Sequence, residues 1–289
     1  MTVEVDGREL ALTSLDRVLY PETGFTKGHL VDYYRAVAPV LVPHLAGRPL
    51  TLGRFPNGVE RRGFAQTECR GAPRWLATQP VRLRDGRIRN VCLVNDTPSL
   101  LWVANLGTIE LHPFLARGAS AGEPLVVVFD LDPGPPAGFE ECCETALALR
   151  ELLRGLDLEG FAKSSGGAGL HVYVPLNSPH TFEQTKRFAR DVAERLARER
   201  PGAVTARPGK AERRGKVLVD WVQNDASRST VAVYSLRAAR VPAVSAPLRW
   251  SEVEQRRPVG FGPADVLDRI DIAGDLFRPV LELEQRLPR

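Results

Sequence analysis

Val126-Val127-Val128-Phe129-Asp130-Leu131-Asp132-Pro133-Gly134 decides how the chain is read. An apolar run rich in β-branched residues predicts a buried strand, and alternation along it sends Asp130 and Asp132 to one face while Leu131 points to the other. Two carboxylates side by side repel unless a cation neutralises them, and a hard divalent ion such as Mg2+ or Mn2+ bound through oxygen is the usual solution. Pro133 and Gly134 end the strand, leaving the pair at its carboxyl end, where α/β sheets keep their ligands. On this stretch alone, an ordinary strand end carrying two aspartates reads equally well.

Outward from that strand, helix signals follow at about Phe139–Leu156 and from Thr181 to Glu199, with strands at Phe161–Ser165, Leu170–Pro175 and Val217–Val222. This alternation argues an α/β or split βαβ layout for the second half. Upstream the pattern is more mixed. A hairpin is expected over Val3–Leu12, turning at Asp6-Gly7, and another at Val81–Arg89 around Asp85-Gly86. Ser14–Pro21 reads as a turn of helix stopped by proline, and Thr26 as the N-cap of a helix ending near Pro39. Pro49–Arg54 and Ile109–Pro113 read as strands, and Thr97-Pro98 opens a helix. The composition turns small and loop-like near Ala119–Pro124, which sets the expected parts at 1–120, mixed α/β, and 121–289, catalytic. The fold class assigned is α+β: a sheet flanked by helices, with the mixed part against it.

At 289 residues and 43% hydrophobic content, the chain is expected to form one large domain or two modest ones. No apolar run is long enough to span a bilayer and no signal peptide is visible at Met1–Asp6, so a cytoplasmic protein without membrane contact is expected. Cys69, Cys92, Cys142 and Cys143 lack metal-ligand spacing and nearby histidines, which argues against zinc or a disulfide framework and for buried or idle thiols. A net charge of +4 and a pI near 9.0 permit a polyanionic partner without demanding one. Basic residues gather at Arg54, Arg61, Arg62, Arg70 and Arg74, and again at Arg207, Lys210, Arg213, Arg214 and Lys216.

Asp220 sits inside another apolar strand, where an unpaired carboxylate is costly, so it is expected to join Asp130 and Asp132. Three carboxylates holding two divalent ions suit nucleotidyl transfer: the ions neutralise a triphosphate, activate a hydroxyl and stabilise pyrophosphate. The turn Ser165-Gly166-Gly167-Ala168-Gly169, followed by His171, adds backbone N–H groups and side-chain donors that can cradle phosphate oxygens.

Taken together, five pieces resemble the polymerase domain of bacterial ligase D and its stand-alone relatives in the archaeo-eukaryotic primase superfamily, which repair DNA ends and gaps. These are Leu15–Pro21, Phe129–Pro133, Ser165-Gly166 with Gly169–His171, Val219–Trp221 with Gln223-Asn224, and Tyr234–Arg237. The resemblance implies that Asp130, Asp132 and Asp220 bind two Mn2+ or Mg2+ ions with the nucleotide. It implies that Ser165, Gly166, Gly169, His171, Gln223 and Arg237 hold that nucleotide, with His112 lining the site and Arg54 assisting. Arg17 and Lys27 fall where the family grips a downstream 5′-phosphate, Phe64 where a template base is stacked, and Arg213 and Arg214 in a mobile loop that positions the primer. A ribonucleotide preference, a nucleoid-associated location, and partnership with Ku and a DNA ligase follow from the resemblance alone. Departures are Arg17 in place of a common lysine, Ala168 where many relatives carry lysine or arginine, Gly53 where lysine is frequent, and the missing second aromatic at Phe64-Ala65.

Two other classes compete. A haloacid-dehalogenase-like phosphatase also carries an aspartate pair after a strand, but near the start of its domain and with no part for Asp220. A nucleic-acid-binding module that has lost catalysis fits Ala168 and Gly53 but not the retention of all three aspartates.

Overall fold

The computed structural model describes residues 1–83, 85–118, 122–257 and 260–288. It groups into two compact units, the first made of residues 1–119, 229–245 and 261–274, the second of 120–228, 246–260 and 275–289. The expected division into 1–120 and 121–289 kept everything after 121 together, whereas two later segments join the first unit. The first of those segments forms short pieces such as Leu236–Arg237 paired with Ala243–Val244, too brief to carry a periodic signal, and the second carries the helix Pro263–Ala273. The expected boundary at Ala119–Pro124 begins outside the described residues, as does Arg84 of the second hairpin.

In the first unit, β1 (Thr2–Val5) and β2 (Arg8–Ala11) pair around Asp6 and Gly7, both at positive φ as a tight turn requires. β3 (Val18–Tyr20) is a strand rather than the expected turn of helix and pairs with β4 (Phe25–Thr26). Buried Tyr20 fixes it by donating its hydroxyl proton to the Arg237 carbonyl at 2.8 Å. α1 (Lys27–Leu45) starts as predicted, with Thr26 Oγ1 accepting from the His29 N–H and His29 Nδ1 accepting from the Thr26 N–H. It then continues through Pro39 and Pro43 instead of stopping. Each interior proline costs about 3 kcal/mol. Burial of Leu30, Val31, Tyr33, Tyr34, Val37, Ala38, Leu41 and Leu45, at roughly 1.5–3 kcal/mol for each large side chain, outweighs that cost.

β5 (Pro49–Arg54), β6 (Phe64–Gln66), β7 (Thr78–Arg82), β8 (Ile88–Leu93) and β9 (Thr108–Pro113) form one antiparallel sheet, with α2 (Thr97–Asn105) between the last two in sequence. The α2 cap is Asp96, which accepts from the Ser99 N–H, rather than Thr97. Cys69 and Cys92 form a disulfide, their Cα atoms 5.0 Å apart, which corrects the expectation of idle thiols. The pairing depends on the chain after β6 lying along β8, where Cys69 N–H reaches the Asn90 carbonyl, and spacing alone does not show that. Cys142 and Cys143 are free and buried, as expected.

The second unit is built on β10 (Val126–Pro133), α3 (Phe139–Arg154), β11 (Phe161–Ser164), β12 (Leu170–Pro175), α4 (Phe182–Glu199), β13 (Val204–Thr205), α5 (Lys210–Arg213) and β14 (Val217–Asp220). Among the described residues its sheet has six strands, in the order β13, β14, β10, β12, β11 and the short Pro247–Leu248. All neighbours are antiparallel except β13 and β14, so the layout is α+β. Val126 to Phe129 are buried on both faces; beyond them Asp130 and Asp132 are half-buried while Leu131 between them stays fully buried. Among the described residues, no helix is long and apolar enough to cross a membrane.

Candidate active site and nucleic-acid interface

β10 lies between β14 and β12, and its register sets the three carboxylates in place. Asp130 is the direct partner of Asp220 on one side and of His171 on the other. Direct partners in an antiparallel ladder share a face, and Asp132, two residues on, shares it too. His171 Nε2 lies 3.2 Å from Asp130 Oδ1. Asp220 accepts from the Val222 N–H and from Gln223 Nε2, each at 2.9 Å. Asp132 Oδ2 lies 3.6 Å from Arg213 Nη2. Burial, reinforced by the negative charge of Asp130, raises the Asp132 carboxyl to about 6; Arg213 opposes the rise and Asp220 adds to it.

Among the described residues, no three acidic, histidine or cysteine groups close into a coordination sphere. Each carboxylate instead has a polar neighbour of its own: the His171 ring beside Asp130, the Gln223 and Val222 N–H donors on Asp220, and the Arg213 guanidinium near Asp132. The set is nevertheless suited to a hard ion. It offers carboxylate oxygens from three neighbouring positions on one face of the sheet.

The glycine turn joins β11 to β12. Ser165 Oγ accepts from the Gly167 and Gly169 N–H groups, each at 3.2 Å, so it organises the turn from within. Gly166 takes φ +73°, where glycine is favoured, and a side chain at Gly169 would collide with the Leu131 carbonyl of β10. Gly169 is therefore needed for packing as well as for any phosphate cradle. Ala168 is exposed at the tip. Lys163 cannot stand in for the missing charge there, because it is fully buried, in register with His171 and with its ammonium over the Tyr173 ring.

The basic loop is fastened at the end of β10. The Gly134 N–H donates to the Lys216 carbonyl and the Gly215 N–H to the Gly134 carbonyl, and a side chain at Gly134 would strike the Arg213 backbone. Arg213 turns toward Asp132, whereas Arg214 is exposed.

In the first unit, two groups of predicted residues form. Lys27 is buried, with Nζ donating to the Thr13 carbonyl at 2.5 Å, and Arg17 Nη1 donates to the Pro56 carbonyl at 2.8 Å. Burial lowers the Lys27 pKa, and the positive charges of Arg17 and Arg54 lower it further. The gathering of three cations suits an anion. Arg54 donates to the Leu106 carbonyl and to Gln66, and lies over the ring of Phe64, which is 48% exposed. Its contacts thus place it with the residues expected to hold DNA rather than with those expected to hold the nucleotide. The second group is His112 and Arg237, both bound to Glu110.

Sequence reasoning passed over Glu110 and gave Asn224 only a place in a motif. Asn224 Oδ1 accepts from the Val128 N–H and its Nδ2 donates to the Val128 carbonyl, both at 2.8 Å, so one side chain occupies both backbone groups of a β10 residue. The available signal was a polar residue just beyond an apolar strand, where a buried amide implies a backbone partner.

A family model described as LigD, primase-polymerase domain matches residues 26–277. The chain is 40% identical over 272 residues to the multifunctional non-homologous end joining protein LigD of Mycolicibacterium smegmatis, which covers 93% of this chain but 36% of that protein. It is 29% identical over 272 residues to the bifunctional LigD of Bacillus subtilis, covering 93% of this chain and 44% of that one. Among solved structures, the polymerase domain of Mycobacterium tuberculosis ligase D in complex with DNA superposes with a TM-score of 0.89 at 38% identity, covering 96% of this chain and 99% of that one. These matches set aside the phosphatase alternative. From motifs, fold and relatives alike, the chain belongs to the LigD primase-polymerase domain family, as a nucleotidyltransferase domain of the primase-polymerase type.

Proposed function

We propose that this domain adds nucleotides to the 3′-hydroxyl of a primer at DNA gaps or ends bearing a downstream 5′-phosphate, using ribonucleotides in preference and Mn2+ or Mg2+ as cofactor. The observation that carries the reading is the placing of Asp130, Asp132 and Asp220 on one face of adjacent strands. The three carboxylates would hold two ions, which when bound supply charge neutralisation for the triphosphate and activation of the attacking hydroxyl. Ser165, Gly166, Gly169 and His171 offer the cradle beside Asp130, while Arg237 supplies donors for the nucleotide and His112 lines its place. Gln223 acts through Asp220, whose carboxylate it holds. Arg17 and Lys27 grip the 5′-phosphate, Phe64 with Arg54 stacks on the template strand, and Arg213 and Arg214 guide the primer end. The DNA-bound state of the similar ligase D domain supports DNA as the partner. The end-joining role of the longer relatives supports partnership with Ku and a DNA ligase.

The test is extension of a primer across a short gap with a downstream 5′-phosphate, comparing Mn2+ with Mg2+ and ribonucleotides with deoxyribonucleotides. Templated incorporation is expected, strongest with ribonucleotides. Its absence under every condition, with DNA binding intact, would leave a nucleic-acid-binding module in place of a polymerase.

A further inference from the structure

Glu110 lies on β9, two residues before His112, so the two side chains share a face. Its carboxylate is 16% exposed and collects three donors: His112 Nε2 at 2.9 Å from Oε2, Arg237 Nε at 3.3 Å from Oε1, and the Ala238 N–H at 3.0 Å from Oε1. Across the ladder its direct partner is Gly53. A Cβ at position 53 would stand 2.8 Å from Glu110 Cβ and 3.3 Å from Oε2, closer than atoms pack, so the glycine clears the seat that Glu110 occupies. Gly53 thus has a packing reason within this chain.

We propose that Glu110 is a positioning residue for nucleotide binding, holding His112 and Arg237 together in the orientation that receives the incoming nucleoside triphosphate. This rests on the reading that His112 and Arg237 hold the nucleotide. Burial alone would raise the Glu110 carboxyl; the His112 hydrogen bond, Arg237 and the Ala238 N–H outweigh it and bring it down to about 2, so it is ionised at neutral pH. An ionised carboxylate only accepts, which requires a proton on His112 Nε2 and leaves Nδ1 of the neutral ring as an acceptor, suited to a hydroxyl of the nucleotide. A guanidinium held by one carboxylate oxygen is already ordered before an anion arrives and keeps its remaining N–H donors. With His112 neutral, Glu110 and Arg237 balance each other in charge, so what the group offers a triphosphate is the set of Arg237 N–H donors that Glu110 leaves open.

The experiment compares wild type with Glu110→Gln in gap extension. The amide can accept from Arg237 and Ala238 but presents N–H groups to His112. Expected is a KM for the nucleotide raised about tenfold, the scale of one lost charge-assisted hydrogen bond. The kcat should stay within about twofold, as befits binding that is equal in ground and transition states. DNA affinity should be unchanged, and the 15N NMR signature of His112 should move from the Nε2–H to the Nδ1–H tautomer. An unchanged KM, or an unchanged tautomer, overturns the proposal. So does a KM rise accompanied by equal loss of DNA affinity, because that marks general damage to the fold. If Glu110→Gln does not fold, Gly53→Ala decides: it keeps the carboxylate but crowds its seat, and a wild-type KM overturns the proposal. Failure of the wild-type protein to incorporate any nucleotide would overturn the polymerase reading instead, and the His112 tautomer would still report on the Glu110 contact.

Discussion

Asp130 and Asp220 face each other as direct partners across the antiparallel ladder of β10 and β14, and Asp132 follows on the same face. Three carboxylates in that arrangement are a liability to a folded chain without a cation, because each charge raises the cost of the next.

That liability should be measurable in Asp132→Asn. With its carboxyl raised to about 6, the folded chain keeps a proton that the unfolded chain releases near pH 4, so this group lowers stability as pH rises across roughly pH 4–6. In metal-free protein the variant should therefore melt above wild type at pH 7, with the gap shrinking to nothing by about pH 4. Primer extension should be abolished while DNA binding persists. A variant that extends primers normally would contradict the role of Asp132 in metal binding.

Asn224→Ala removes both partners of the Val128 backbone inside a buried sheet. Unsatisfied buried groups cost about 1–3 kcal/mol each, so a loss of about 2–4 kcal/mol is expected in urea unfolding, with unchanged slope. A loss below about 0.5 kcal/mol, typical of surface positions, would show that water replaces the amide without penalty.

For Lys27→Ala, the preference for gaps with a 5′-phosphate over a 5′-hydroxyl should vanish. The slope of log affinity against log salt should fall by about one on phosphorylated substrate, as expected when one phosphate contact is lost. An unchanged preference would assign the phosphate grip elsewhere.

Phe64→Ala takes away an exposed ring that Arg54 braces. Fluorescence anisotropy with a gapped duplex should report binding weakened by about 1–3 kcal/mol, the worth of one stacked base. A weaker effect on blunt duplex is expected, because no unpaired template base is available there.

The elements with strong local signals were legible in the sequence: the alternation that puts Asp130 and Asp132 on one face, the Thr26 cap, and the Asp6-Gly7 turn. Signals that depend on distant neighbours were not. α1 passes Pro39 because of what its apolar face covers, and Val18–Tyr20 is a strand because β4 lies beside it. Cys69 meets Cys92 only once β8 is laid down, and Arg54 is drawn to Phe64 by the return of β6. Glu110 looked like an ordinary polar residue in a strand, since its meaning depends on Arg237, brought in from far along the sequence.

The grip of Asn224 on Val128 has a consequence for how activity responds to change. Continued in register, β14 would set Val222 opposite Val128; the Asn224 amide takes those backbone groups instead and pins the strand just past Asp220. A strand can slip only by whole residues, and a slip of one would carry Asp220 to the opposite face. Within a library of β14 variants, activity should therefore fall into two populations, fully competent or silent, rather than along a continuum.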